Sequence, residues 1–116
     1  MSINQRNEER HLLDRLIKVY DHSDEMIGFL RNISTQGALI LSKENHMEQD
    51  DLKLTFKTGN LNLKINDIDL KVTCRWTKNL KEKDLIEAGL RITVMNEKSK
   101  MGLSQLINQT SINAYL

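Results

Sequence analysis

Ile68-Asp69-Leu70-Lys71-Val72-Thr73-Cys74-Arg75-Trp76 is the longest alternating series in this chain. In an extended strand Ile68, Leu70, Val72, Cys74 and Trp76 point to one face, while Asp69, Lys71, Thr73 and Arg75 point to the other. The pattern predicts a strand with one buried face. On that reading Cys74 is inert core. Trp76 continues the inward face as core or rim packing, with an exposed partner anchor as the alternative.

The same period extends outward from this stretch. Leu52, Leu54 and Phe56 alternate with Lys53, Thr55 and Lys57, and Leu61, Leu63 and Ile65 repeat the pattern after a break at Thr58-Gly59-Asn60. A charged loop from Lys78 to Asp84 leads into a last strand, Leu85 to Met95, centred on Gly89, where a glycine suggests a bulge or close backbone packing. Asn96 can cap a helix carrying Met101, Leu103, Leu106 and Ile107, and residues 108–116 read as a frayed tail. Upstream, Leu16 to Tyr20 and Met26 to Ile33 flank the turn Asp21-His22-Ser23-Asp24-Glu25 and read as a hairpin. The run Ala38-Leu39-Ile40-Leu41 suits a strand buried on both faces. Ser42 to Asp51 is polar loop. Residues 1–11 are almost wholly polar and read as a flexible arm or a short helical turn. This divides the chain into an arm (1–11), a barrel with its helix (12–107) and a tail (108–116). Six or seven short strands and one C-terminal helix make the fold mainly β. They argue for a small antiparallel β-barrel, since closure removes exposed sheet edges, with the helix over one open end.

Composition narrows the function. A chain of 116 residues fits one domain with an independent core. Its 39% apolar and 28% charged residues describe an ordinary globular protein. With 17 basic and 16 acidic groups there is no global field to gather a nucleic-acid polymer, so any anion site is local. A barrel for single strands would also want exposed aromatics, and the chain has two Phe, two Tyr and one Trp. The lone Cys74 excludes an internal disulfide and suits a reducing, cytoplasmic setting. No apolar run reaches membrane-spanning length and the N-terminus is polar, so neither membrane insertion nor a secretory signal is expected. His11, His22 and His46 are scattered without metal-ligand spacing. Ser34 lacks a base nearby in sequence, so no metal and no catalysis are expected.

One turn could hold a ligand. Asn32-Ile33-Ser34-Thr35-Gln36-Gly37 lies between two strand-like segments. Asn and Ser offer side-chain donors and acceptors, and Gly tolerates positive φ and lets backbone amides approach a ligand. Arg6, Arg10 and Arg15 lie ahead of or at the start of the first strand. A guanidinium can fork to a phosphate or to the O6/N7 edge of guanine, and can stack on a purine.

Asn32, Ser34 and Gly37 have the spacing of the (Asp/Asn)-x-Ser-x-x-Gly motif, and the chain resembles the PilZ domains, bacterial receptors for cyclic di-GMP. The resemblance extends to the arginine-bearing segment, to Val72-Thr73-Cys74-Arg75-Trp76 and to Ala88-Gly89-Leu90-Arg91-Ile92, roughly residues 6 to 95. It implies a six-stranded antiparallel barrel with a helix near the C-terminus. It also implies an arginine segment that folds over the barrel and closes on the ligand, with Asn32 and Ser34 reading guanine and Gly37 permitting the turn. The family pattern is Arg-x-x-x-Arg just before the first strand. Arg6 and Arg10 match that spacing but stand upstream, whereas Arg10 and Arg15 are in place with one residue more between them. Arg10 belongs to both pairings. The resemblance implies a second-messenger receptor without catalytic activity, acting on an unidentified effector protein. The alternative is a PilZ-like adaptor that makes protein contacts and no longer binds nucleotide.

Overall fold

The computed structural model describes residues 11–43, 51–58, 65, 67–81 and 84–112. Six strands form the barrel: β1 (His11–Asp21), β2 (Met26–Ile33), β3 (Gly37–Ser42), β4 (Leu52–Lys57), β5 (Ile68–Leu80) and β6 (Leu85–Val94). Helix α1 (Glu97–Thr110) and a two-residue strand β7 (Ser111–Ile112) follow. All pairings are antiparallel. The order β2-β3-β6-β5-β4-β1 closes through a further β1–β2 pairing, with β7 added to β1. The expected strand over Leu61 to Ile65 falls largely outside the described residues, as does most of the loop from Ser42 to Asp51.

Period-two patterning explains the core. Leu52, Leu54 and Phe56 of β4 and Ile68, Leu70 and Val72 of β5 are buried, and Ile17, Val19, Leu30, Ile33 and Ile40 face them from the other strands. The β1–β2 turn forms as its residues dictate: the Asp21 carboxylate accepts from the amides of Ser23 (2.9 Å) and Glu25 (3.0 Å), and Asp24 takes a φ of 61°. Lys57 reaches this turn, 3.2 Å from Asp24 and 4.7 Å above the Tyr20 ring. The Asp24 carboxylate bonded to it holds the amine above its ordinary pKa. Thr58 closes the base of the following loop, its amide donating to Asp67 (3.0 Å) and its hydroxyl to the Ile65 carbonyl (2.9 Å).

Asn96 caps α1 by accepting from the Ser99 amide at 2.8 Å. Leu103 and Leu106 turn into the core cluster, and the Ser99 hydroxyl ties the helix to β5 by donating to the Asp69 carbonyl at 2.7 Å.

Four expectations change. Strand β1 starts at His11, upstream of Leu16, because its N-terminal part is held by β2 and β7. The helix runs past Ile107 to Thr110, and Ser111–Ile112 pair with Leu13 and Leu12, where a frayed tail was expected. In β3 one face is fully buried (Ala38, Ile40), while Leu39 and Leu41 are half-buried on the outer face. Trp76 is 46% exposed and is not core. The cause is a bulge. Cys74 pairs with Leu90 and Trp76 with Gly89, so Arg75 is an extra residue that resets the alternation. Cys74 stays partly buried against the core, its thiol donating to the Trp76 carbonyl at 3.4 Å.

Candidate ligand-binding face

The Asn32–Gly37 turn is built around Ser34. Its hydroxyl accepts from the amides of Gln36 (3.2 Å) and Gly37 (3.1 Å) and donates to the Gly37 carbonyl (3.3 Å), while its own amide donates to that carbonyl (2.9 Å). Ser34 is fully buried. The Gln36 carbonyl accepts from the Ile92 amide at 2.8 Å, which pins the turn to β6. Gly37 is needed here for closeness, not for positive φ, which no described glycine adopts. A Cβ at Gly37 would come within 2.6 Å of the Leu90 carbonyl oxygen, inside the β3–β6 pairing.

Asn32 lies on β2, half-buried, opposite Leu12 of β1 and Leu39 of β3. Its neighbour Ile33 faces His11 across the β1–β2 pairing. The pairing is then irregular: the stretch from Leu12 to Ile17 on β1 faces the much shorter step from Asn32 to Leu30 on β2. Arg15 falls in this irregular stretch. Arg6 and Arg10 lie outside the described residues, upstream of His11 in the sequence.

Sequence reasoning assigned no role to other cations on the same face. Arg91 pairs with Gly37 on one side and Thr73 on the other, and is exposed. Arg31 occupies a bulge of β2 and bonds Glu87 at 3.2 Å. Register across strands, which single-strand patterns do not carry, is the signal that locates both. Two clefts among the described residues lie away from the motif. One of about 620 Å³ is lined by Asp24, Lys53, Asp69, Lys71 and Asn96, among others. A second, of about 360 Å³, lies beside Met26, Phe29 and Lys43. Among the described residues no group of three or more His, Cys, Asp or Glu could hold a metal ion, and no helix is long and apolar enough to cross a membrane.

A family model for the PilZ domain matches residues 4–109. The structure of the Bacillus subtilis inhibitor of motility (MotI/DgrA) is similar with a TM-score of 0.68 and 17% identity, over 92% of this chain and 51% of that one. The present chain thus spans about half the length of that protein. The PilZ domain of Escherichia coli YcgR, solved with c-di-GMP, is similar with a TM-score of 0.58 and 10% identity, over 90% of each chain. No curated protein matches by sequence.

Proposed function

Because this chain belongs to the PilZ domain family, we propose that it is a bacterial second-messenger receptor, not an enzyme, that binds cyclic di-GMP and signals through altered contacts with an effector protein in the cytoplasm. The observation that carries this reading is the β1–β2 register. With His11 opposite Ile33 and Leu12 opposite Asn32, the segment bearing Arg6 and Arg10 joins the barrel beside Asn32, Ser34 and Gly37. Guanidinium groups delivered there meet the phosphates and guanine edges of a ligand lying on the motif face. Ser34 shapes the turn that presents the face, and Asn32 stands on it. That the YcgR domain was solved with c-di-GMP supports the ligand class.

A charge-assisted hydrogen bond contributes about 1.5 to 3 kcal/mol, and micromolar binding needs about 8 kcal/mol, so two or three arginines together with stacking suffice. Calorimetric titration with cyclic di-GMP, using GTP and cyclic GMP as controls, tests the reading. We expect selective binding in the low micromolar range or tighter. Arg10→Ala should weaken it roughly tenfold to a hundredfold with little change in thermal stability. Unchanged affinity in that variant removes the arginine clamp. No heat from the unaltered chain favours the second reading, an adaptor working by protein contacts alone. The irregular arginine spacing and the engagement of the Ser34 hydroxyl within its own turn speak for that adaptor.

A further inference from the structure

The run Ala38-Leu39-Ile40-Leu41 has the composition of a strand covered on both faces, and the barrel covers only one. Ala38 and Ile40 fill the core, while Leu41 is half-buried on the outer wall. The β2–β3 register sets Phe29 directly opposite it, also half-buried on the outside. Met26, 43% exposed, extends the patch along β2, and Leu85 of β6 borders it. Together they line the cleft of about 360 Å³. Isolated apolar residues are normal on a surface, but apolar residues gathered around one cleft mark a contact site.

Its rim is cationic. Lys18 of β1 stands opposite Phe29, and Lys43 follows Leu41 by two residues at the mouth of the cleft. Both are exposed, and neither has an ion-pair partner among the described residues. Of the acids nearby, Glu87 opposite Leu41 is engaged by Arg31 at 3.2 Å, which leaves Glu25 against the two lysines. The strands offer no free edge: β2 is paired with β1 and β3, and β3 with β2 and β6. A partner cannot add a strand here and must dock by its side chains, as an amphipathic helix does in a groove.

We propose that this cleft is the docking site for the effector protein, and that it takes an amphipathic helix whose apolar anchors enter between Phe29 and Leu41 and whose flanking Asp or Glu residues meet Lys18 and Lys43. The proposal rests on the reading that the chain works through a protein partner, which the receptor and the adaptor share. The cleft is built from other residues than the motif and the arginine segment, so docking there is separable from nucleotide binding.

The test is selection of a displayed library of random peptides on the full chain, followed by titration of the enriched peptides. Enriched sequences should carry apolar residues at i, i+3 or i+4, and i+7, with Asp or Glu beside them. Lys18→Glu/Lys43→Glu should weaken their binding roughly tenfold or more, and Leu41→Ser by a similar factor. The charge-reversed variant alters exposed residues alone, so it decides the matter even where Leu41→Ser fails to fold. An enriched peptide remade with Lys for its acids should bind the charge-reversed variant better than the unaltered chain. Selection that enriches nothing, or basic sequences, or peptides that bind the variants as well as the unaltered chain, overturns the docking site. Calorimetric titration with cyclic di-GMP separates the two readings. Nucleotide binding with a failed selection overturns this surface and leaves the receptor; a successful selection without nucleotide heat leaves this surface and the adaptor.

Discussion

The Ser34 hydroxyl is buried and satisfies two amides and a carbonyl of its own turn, so its removal should be felt first in folding. Alanine there leaves the Gln36 and Gly37 amides without that acceptor, and an unsatisfied buried donor costs about 1 to 3 kcal/mol. For a domain of this size that predicts a fall in Tm of roughly 4 °C or more for Ser34→Ala, measured by scanning calorimetry. Lost affinity at unchanged Tm would instead put the hydroxyl on the ligand. At this scale the motif was legible and its mechanics were not. The spacing of Asn32, Ser34 and Gly37 marks the turn. That Gly37 is there to let the Leu90 carbonyl approach, with φ negative, depends on a strand far away in sequence. For Trp76 the same limit reversed the expectation, because the alternation that begins at Ile68 gives no sign of the bulge at Arg75. The bulge is visible only once Leu90 and Gly89 are set opposite.

Elements were legible where their determinants are local. The step from strand β6 to helix α1 is one such place: Asn96 follows the last strand and precedes apolar residues at helical spacing, and it does accept from the Ser99 amide. The cap stands against β5, because the next hydrogen bond, from the Ser99 hydroxyl, goes to the Asp69 carbonyl. Asn96→Ala should therefore lower stability by about 1 kcal/mol, within a range of about 0.5 to 2. It would be read as a lower urea midpoint with an unchanged slope; an unchanged midpoint would mean that tertiary contacts hold the first turn without its cap. Elements defined by partners were harder to read. The N-terminal part of β1 has no alternation that marks a strand, and it is one because β2 and β7 flank it. The two residues of β7 carry no strand signal of their own. The candidate ligand face divides the same way. Its turn can be read from six consecutive residues, while the placing of Arg91 between Gly37 and Thr73 exists only in the register of three strands.

At the scale of the molecule, closure depends on β1, which pairs with β2 along one edge and with β4 and then β7 along the other. The part of β1 beside the motif is also where the C-terminal strand docks, so a ligand held between the arginine segment and the motif face acts where both ends of the described chain meet. A ligand that binds the folded state alone stabilises it by about 2.7 kcal/mol at a hundredfold excess over its Kd. Two cases can be told apart. If cyclic di-GMP only settles on a preformed face, the denaturation midpoint rises and the slope stays constant. If the residues before His11 bury surface when the ligand arrives, the complex exposes more on unfolding, and the slope rises as well. The arginine clamp requires the second outcome: a higher midpoint with a steeper slope in the full chain, and neither in an Arg6→Ala/Arg10→Ala double variant at the same ligand concentration. A double variant that kept the whole midpoint shift would place the binding energy on the motif face alone, with none of it in the arginine segment.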